Sequence, residues 1–364
     1  MSDAPICFVT GGTGFLGRYV IAELLQRGAT IHALVRPQSA SRLTKIADAL
    51  GVDRERLVAV PGDISRKDLT LERYTGIPDH LFHLAAIYDM DADPEEMAEA
   101  NVQGTRRVLA FAASHGVGTF HMVSSVAAAG DLAGVFPEAD PRHGQGFPHA
   151  YHRSKFDSEV LVRDTAAMPF KIYRPGAVVG TVATGATDKL DGVYALFPFA
   201  AALRGLPSYS VVPVPELGRL PTVPVDRCAA AIAEIGLNAD ASAGDTFGLY
   251  ATEDERVHDV LAALSEHVGG PRVVAALPEA SGSVGFWVGQ ALGRLPVIGG
   301  VRDKALNAIG VPAGLVDAAP FRCRFETSRT RAALAGTGIE IPPFRDYVGA
   351  LWDGWLEMKR AEKA

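Results

Sequence analysis

The chain has 364 residues, 48% hydrophobic and 21% charged, with a formal net charge of −7 at pH 7. These proportions describe a globular protein with a sizeable core, long enough for one large α/β domain or two modest ones. A pI near 5.8 without any basic stripe excludes a nucleic-acid binder, because nothing would neutralise phosphates. Cys7, Cys228 and Cys323 are odd in number, far apart and outside any CxxC or Cys/His cluster. They read as reduced, buried thiols of a cytoplasmic protein. An apolar strand is expected almost at once, from Ile6, which leaves no room for a signal peptide, and no apolar run is long enough to span a bilayer.

The first predicted strand, Ile6–Val9, runs into Thr10-Gly11-Gly12-Thr13-Gly14-Phe15-Leu16-Gly17 and then a helix-period segment, Phe15–Arg27. Such a glycine turn exposes bare backbone at a helix amino end, where free N–H groups and the helix dipole favour a diphosphate. Strands are expected next at Ile31–Val35, Leu57–Val60, His80–Leu84, Thr119–Val123 and Phe170–Tyr173, alternating with helices that include Glu95–Ser114 and Tyr151–Thr165. That alternation implies a doubly wound α/β fold, a parallel sheet with helices on both faces. The fifth strand ends on Ser124-Ser125, and ligands of open α/β sheets bind at the carboxyl ends of strands. In the helix that follows, Tyr151 and Lys155 stand four residues apart and share a face. A free phenol titrates near ~10, and a neighbouring ammonium lowers that value toward one useful for proton transfer. Past Gly176 the pattern loosens through the Gly/Pro-rich stretch Gly205–Pro224. It continues as Asp226–Leu237, Thr246–Leu249, Val257–His267 and Tyr347–Lys359. The expected division is a nucleotide-binding core over 1–176 and a smaller lobe over 177–364 with some segments returning to the core.

Taken together these features resemble the extended short-chain dehydrogenase/reductase superfamily. The matching pieces are Thr10-Gly-Gly-Thr-Gly-Phe-Leu-Gly17, Gly62-Asp63-Ile64, His83-Leu84-Ala85-Ala86, Asn101, Ser124-Ser125, Tyr151-x-x-x-Lys155 and Tyr173-Arg174-Pro175-Gly176. The resemblance implies a Rossmann fold with Tyr151 as general acid and Lys155 at the nicotinamide ribose. Ser125 would sit at the substrate carbonyl, and Asn101 would complete the catalytic set. It also implies a cofactor cleft lined by Gly11, Thr13, Gly14, Phe15, Leu16 and Gly17, by Asp63 and Ile64 near the adenine, by Leu84, Ala85 and Ala86, and by Arg174, Pro175 and Gly176. For Asp63 a cap after a strand is the competing reading. NAD-preferring Rossmann proteins carry an acid at the end of the second strand, but here the sequence is Ala33-Leu34-Val35-Arg36-Pro37. Arg36, with Arg42 on the next helix, is suited to the extra phosphate of NADPH, and NADH is the poorer fit.

A narrower similarity, to the thioester/fatty acyl-CoA reductase branch, lies in four segments: His83–Asp89, Ser125–Gly130, Thr184–Gly192 and Gly336–Pro343. Within that branch the chain most resembles the amino-terminal module of bacterial two-module fatty acyl-CoA reductases. This implies reduction of an acyl thioester or aldehyde, with Thr184–Gly192 as either a substrate contact or a surface turn. The apolar residues Phe197, Phe199, Leu203, Phe286, Trp287, Leu292, Leu295 and Ile298 suit either a long acyl chain or the lobe's own core. The stretch Val284–Val301 fits a membrane surface, a cover for a lipid-like substrate or a core helix. Relatives of this type dimerise, and Val108, Phe111, Val160 and Leu161 offer a seam or, equally, packing against the sheet. The alternatives are a ketone or 3-hydroxysteroid dehydrogenase, a sugar-nucleotide epimerase, or an NADP-binding sensor or scaffold without turnover. No metal is expected: Asp89-x-Asp91-x-Asp93 lacks the glycine and glutamate of a calcium loop, and His143, His149 and His152 lack completing ligands.

Overall fold

The computed structural model describes residues 4–71, 74–88, 93–214, 216–238, 244–251, 255–275 and 321–362. In chain order the elements begin with β1 (Ile6–Thr10), α1 (Phe15–Gln26), β2 (Thr30–Val35), α2 (Ala40–Leu50), β3 (Leu57–Pro61) and β4 (His80–His83). Then come α3 (Pro94–Met97), a π-helical stretch (Ala98–Gln103), α4 (Gly104–Ser114), β5 (Thr119–Val123), β6 (Gly134–Phe136), α5 (Ala150–Thr165), β7 (Phe170–Pro175) and β8 (Ala177–Val179). The remainder is α6 (Phe197–Leu203), β9 (Val211–Val214), β10 (Thr222–Pro224), α7 (Val225–Leu237), β11 (Thr246–Leu249) and α8 (Val257–His267). It ends with β12 (Arg272–Ala275), β13 (Cys323–Phe325), α9 (Ser328–Leu334) and α10 (Val348–Ala361).

Two compact units share these elements. The first comprises Met1–Val178, Val223–Tyr250 and Cys323–Ile341, and holds a seven-stranded sheet in the order β11-β7-β5-β4-β1-β2-β3. All six strand pairings are parallel, with Thr10 opposite Leu34 on one side and His83 on the other. Parallel strands are covered on both faces, and the alternation within β1 shows it. Cys7 and Val9 join Val20, Ile21 and Leu24 of α1 and Cys228, Ile232 and Ile235 of α7 in one core. Phe8 joins Val108 and Phe111 of α4 and Leu161 and Val162 of α5 in the other. Val108, Phe111 and Leu161 are buried in this second core, the packing alternative to a dimer seam, and Val160 is partly buried. The three cysteines are buried and free, and burial together with the Asp79 charge pushes the Cys7 thiol up to about 12.

The return segment is fastened to this unit by a buried carboxylate. Glu138, just past β6, accepts from the N–H groups of Gly248 on β11 (2.8 Å) and of Arg329 and Thr330 in the first turn of α9 (2.6 and 3.2 Å). The strand β13 pairs in parallel with β6, Arg324 opposite Val135. The second unit comprises Val179–Thr222, Ala251–Arg322 and Pro342–Ala364. Its core is aromatic, with Phe197 stacked on Trp352 at 5.8 Å and Tyr194 and Trp355 around them. Phe197 and Leu203 thus belong to the core of that unit, the second of the two readings open for them. Phe286, Trp287, Leu292, Leu295 and Ile298, like the whole stretch Val284–Val301, lie outside the described residues. A Cβ at Gly185 would collide with the backbone of α10, so the Thr184–Gly192 loop has at least a packing role.

Candidate active site

The glycine turn leaves β1 at the middle of the sheet, where the chain order reverses. Gly11 has φ +74°, and a Cβ there would lie 2.6 Å from the Ala85 nitrogen; one at Gly17 would collide with the Gly11 carbonyl oxygen. Gly14 is exposed and caps α1 without a side-chain hydrogen bond, and the first turn carries no acid. The first-turn N–H groups are therefore left with the positive end of the helix dipole, which fits a diphosphate. Thr13, Phe15 and Leu16 are partly buried along the same turn. Arg36, at the end of β2, and Arg42, on α2, are both exposed. Asp63 accepts from the Ser65 N–H at 2.9 Å, the capping role that competed with adenine contact, while Ile64 packs against the second core.

Leu84, Ala85 and Ala86 follow β4, and a chain of hydrogen bonds aligns them. The Ala85 N–H donates to Thr10 Oγ1 (3.3 Å), and Thr10 Oγ1 meets His83 Nδ1 (2.8 Å). On the far side His83 Nε2 meets Thr105 Oγ1 (3.0 Å), whose proton goes to the Asn101 carbonyl (2.6 Å). Only a neutral imidazole with its proton on Nε2 satisfies both threonines. Burial and the nearby Lys155 charge agree, lowering the His83 pKa to about 3. Asn101 lies in the π-helical stretch, and its carboxamide clasps Ile87, accepting from its N–H (2.8 Å) and donating to its carbonyl (3.1 Å). The same amide nitrogen donates to Ser154 Oγ on α5 (3.0 Å). Asn101 therefore ties the post-β4 segment to the helix that carries Tyr151.

Ser125, Tyr151 and Lys155 come together at the carboxyl end of β5. Ser125 Oγ accepts from the Ala127 N–H (3.1 Å) and hydrogen-bonds the Tyr151 side chain. Ser124 faces elsewhere, donating to Glu159 at 2.6 Å. Lys155 is 6% exposed, donates to the Val123 carbonyl (3.3 Å) and lies 5.8 Å from the Tyr151 ring centre. Burial lowers its pKa to about 8, with the Glu159 charge opposing the shift. Burial pushes the Tyr151 phenol well above the usual phenol range, against the lowering expected from a neighbouring ammonium, so at neutral pH it is protonated and, in the absence of cofactor, a weaker acid than a free phenol.

Two neighbours of this cluster escape sequence reasoning. Glu159, one turn beyond Lys155, forms a buried bidentate pair with Arg174 (2.7 Å), which also donates to the Pro137 and Ala139 carbonyls. The Arg174 side chain is thus committed to holding α5 on β7. A Tyr-x-x-x-Lys-x-x-x-Glu spacing was visible in the sequence, but the partner of Glu159 was not. The second neighbour is Tyr88, whose ring meets that of Tyr151 edge-on at 5.0 Å and 86°. Asp93 caps α3 through the Glu95 N–H (2.8 Å), and 89–92 lie outside the described residues. Among the described residues no group of His, Cys, Asp and Glu has metal-site geometry, and no helix is long and apolar enough to cross a membrane.

The chain matches the family model described as male sterility protein over residues 9–232. An isonitrile lipopeptide synthase of Streptomyces coeruleorubidus is 30% identical over 279 residues, 71% of this chain and 18% of that protein. An aldehyde reductase of Aspergillus flavus is 28% identical over 273 residues, 66% of this chain and 25% of that protein. The chain thus spans a quarter or less of the length of these relatives. The crystal structure of the terminal R domain from the myxalamid PKS-NRPS biosynthetic pathway superposes with a TM-score of 0.75 at 25% identity, covering 98% of this chain and 92% of that one. With the nicotinamide-nucleotide turn, the Ser125–Tyr151–Lys155 cluster and these matches in hand, the chain belongs to the male sterility protein family, among the extended short-chain dehydrogenases/reductases, and is an NAD(P)-dependent oxidoreductase.

Proposed function

We propose that the protein is an NADPH-dependent reductase of acyl thioesters or aldehydes with an apolar chain, in which Tyr151 donates the proton. The observation that carries this reading is the meeting of Ser125, a protonated Tyr151 and a buried Lys155 at the carboxyl end of β5. Reduced nicotinamide, when bound, supplies a hydride, two electrons and a proton nucleus, to the carbonyl carbon. Ser125 polarises the carbonyl oxygen, and Tyr151 gives that oxygen its proton while the Lys155 ammonium stabilises the phenolate left behind. A thioester reduced in this way loses its thiol as the C–S bond breaks and becomes an aldehyde; an aldehyde becomes an alcohol. NADPH is favoured over NADH by the absence of an acid at the end of β2 and by the exposed Arg36 and Arg42. An apolar chain is supported by the name of the lipopeptide synthase and by the half-exposed Tyr88 ring against Tyr151.

The test is turnover of acyl-CoAs and aldehydes followed by NADPH absorbance, in wild type and in Tyr151→Phe. The variant is expected to lose about 10²- to 10⁴-fold in kcat while NADPH binding, read by fluorescence, is unchanged. Near-normal turnover in Tyr151→Phe overturns the assignment.

A further inference from the structure

The segment that leaves β4 carries two consecutive apolar side chains turned to solvent, Ile87 at 37% and Tyr88 at 48% exposure, and the second lies against the phenol proposed as proton donor. The Tyr88 ring presents an edge-on contact to Tyr151 at 5.0 Å, so it defines part of the surroundings of that phenol while about half of the residue is exposed. An aromatic–aromatic pair of this geometry holds orientation as well as position. The backbone beneath is also fixed: both polar groups of Ile87 are clasped by the Asn101 carboxamide, which is itself bonded to Ser154 on the Tyr151 helix. The two apolar side chains and the phenol are therefore referenced to one helix. This is what positioning a reacting carbonyl requires, since small displacements of a bound substrate are costly to rate. Ile87 and the ring carbons of Tyr88 offer no charge to a sugar or a diphosphate, and their complement is hydrocarbon.

We propose that Ile87 and Tyr88 form an apolar shelf that seats the carbon chain next to the reacting carbonyl, with Tyr88 the specificity-determining residue. This rests on the reading of Tyr151 as proton donor. Each methylene that comes to lie on the shelf is expected to raise kcat/KM about three- to fourfold until the shelf is covered.

The experiment measures kcat and KM for straight-chain aldehydes from propanal to dodecanal with wild type, Tyr88→Phe, Tyr88→Leu, Tyr88→Ala and Tyr151→Phe, each checked for an unchanged Tm. Tyr88→Phe keeps the wild-type length dependence and Tyr88→Leu keeps most of it. Tyr88→Ala loses at least about tenfold in kcat/KM for the long aldehydes, chiefly through KM, but less than threefold for propanal. Dodecanol binding to the cofactor-free protein, followed by calorimetry, weakens in Tyr88→Ala in parallel. An equal loss at every length, or a loss confined to kcat, assigns Tyr88 to the support of Tyr151 alone and overturns the shelf while leaving the proton donor standing. A length dependence in Tyr88→Ala equal to that of wild type also overturns it. If Tyr151→Phe keeps its turnover, or wild type reduces no aldehyde, the reading of the site falls and the shelf with it.

Discussion

A phosphate monoester on the adenosine ribose is all that separates NADPH from NADH, so the choice between them is made by one or two side chains. Arg36 is held at the end of β2 with extended backbone, and the 3₁₀ turn Pro37–Ser39 leads directly into α2, where Arg42 stands exposed. On the proposed reading, a charge-assisted bond from each guanidinium to that phosphate would contribute about 1.5–3 kcal/mol. Arg36→Ala with Arg42→Ala is therefore expected to raise the Kd of NADPH about 10²-fold or more and that of NADH less than about threefold, as titration by fluorescence can read. Equal weakening of both dinucleotides sinks the phosphate-reading role. The missing acid at this strand end is legible in the sequence because strand length and the glycine turn fix which residue follows the strand. The choice of Ser125 over Ser124 comes in the sequence from the family resemblance alone, not from the chemistry of the residues. Both hydroxyls follow β5, and it is the buried Glu159–Arg174 pair, assembled from α5 and β7, that takes Ser124 and leaves Ser125 to Tyr151.

Between residue and molecule, the elements with strong periodicity fall where the sequence puts them. The strand Thr246–Leu249 and the helix Val257–His267 have the expected bounds, and the expected helix Tyr151–Thr165 gains only Ala150. The segment read as one helix, Glu95–Ser114, is instead α3, a π-helical stretch and α4. No residue in it has a π-helical signature; Asn101 is drawn out by Ile87 and Ser154, both tertiary partners. A return of some segments to the core is expected from the sequence, but that Cys323–Ile341 is the one is hidden, because it depends on Glu138, about 190 residues earlier in the chain. That dependence gives a prediction. Glu138→Ala leaves three backbone N–H groups without their acceptor, at about 1–3 kcal/mol each where buried. A loss of about 3–5 kcal/mol in urea unfolding is expected. Hydrogen exchange in β13 and α9 should rise before that of the central sheet, and Glu138→Gln should lie between. A change below about 1 kcal/mol, with exchange unaltered in α9, means the return segment is held by its apolar contacts instead.

At the scale of the whole molecule, the parallel sheet buries polar residues that a two-faced core can accept only in neutral form. His121, on β5, is stacked on Phe82 and bonded to His80 (3.0 Å) and the Tyr173 hydroxyl (3.0 Å), and burial lowers its pKa well below the usual histidine value. His83 is lowered to about 3, chiefly by burial, and His152 to about 4 by burial and the neighbouring His149. In the unfolded chain all three titrate near ~6.5. Their folded values are depressed, so the unfolded state binds more protons below that pH. The stabilisation is complete above pH ~6.5 and is lost as pH falls toward the folded values of His152 and His83. With one proton from each of three sites the slope reaches about 4 kcal/mol per pH unit near pH 5, against a total stability of about 5–15 kcal/mol. Urea midpoints measured at pH 7.5, 6.0 and 5.0 should therefore fall steeply over the last interval, with the m-value unchanged. Unfolding at pH 5 should take up at least about three protons, since burial also lowers His32 and His80, as read by calorimetry in buffers of different ionisation enthalpy. His152→Asn should remove about one of those protons and about a third of the slope, because Asn has nothing to titrate in either state. A midpoint that stays level from pH 7.5 to 5.0 shows that these imidazoles accept protons in place, and that the chains of hydrogen bonds through His83 and His121 do not fix their neutral form.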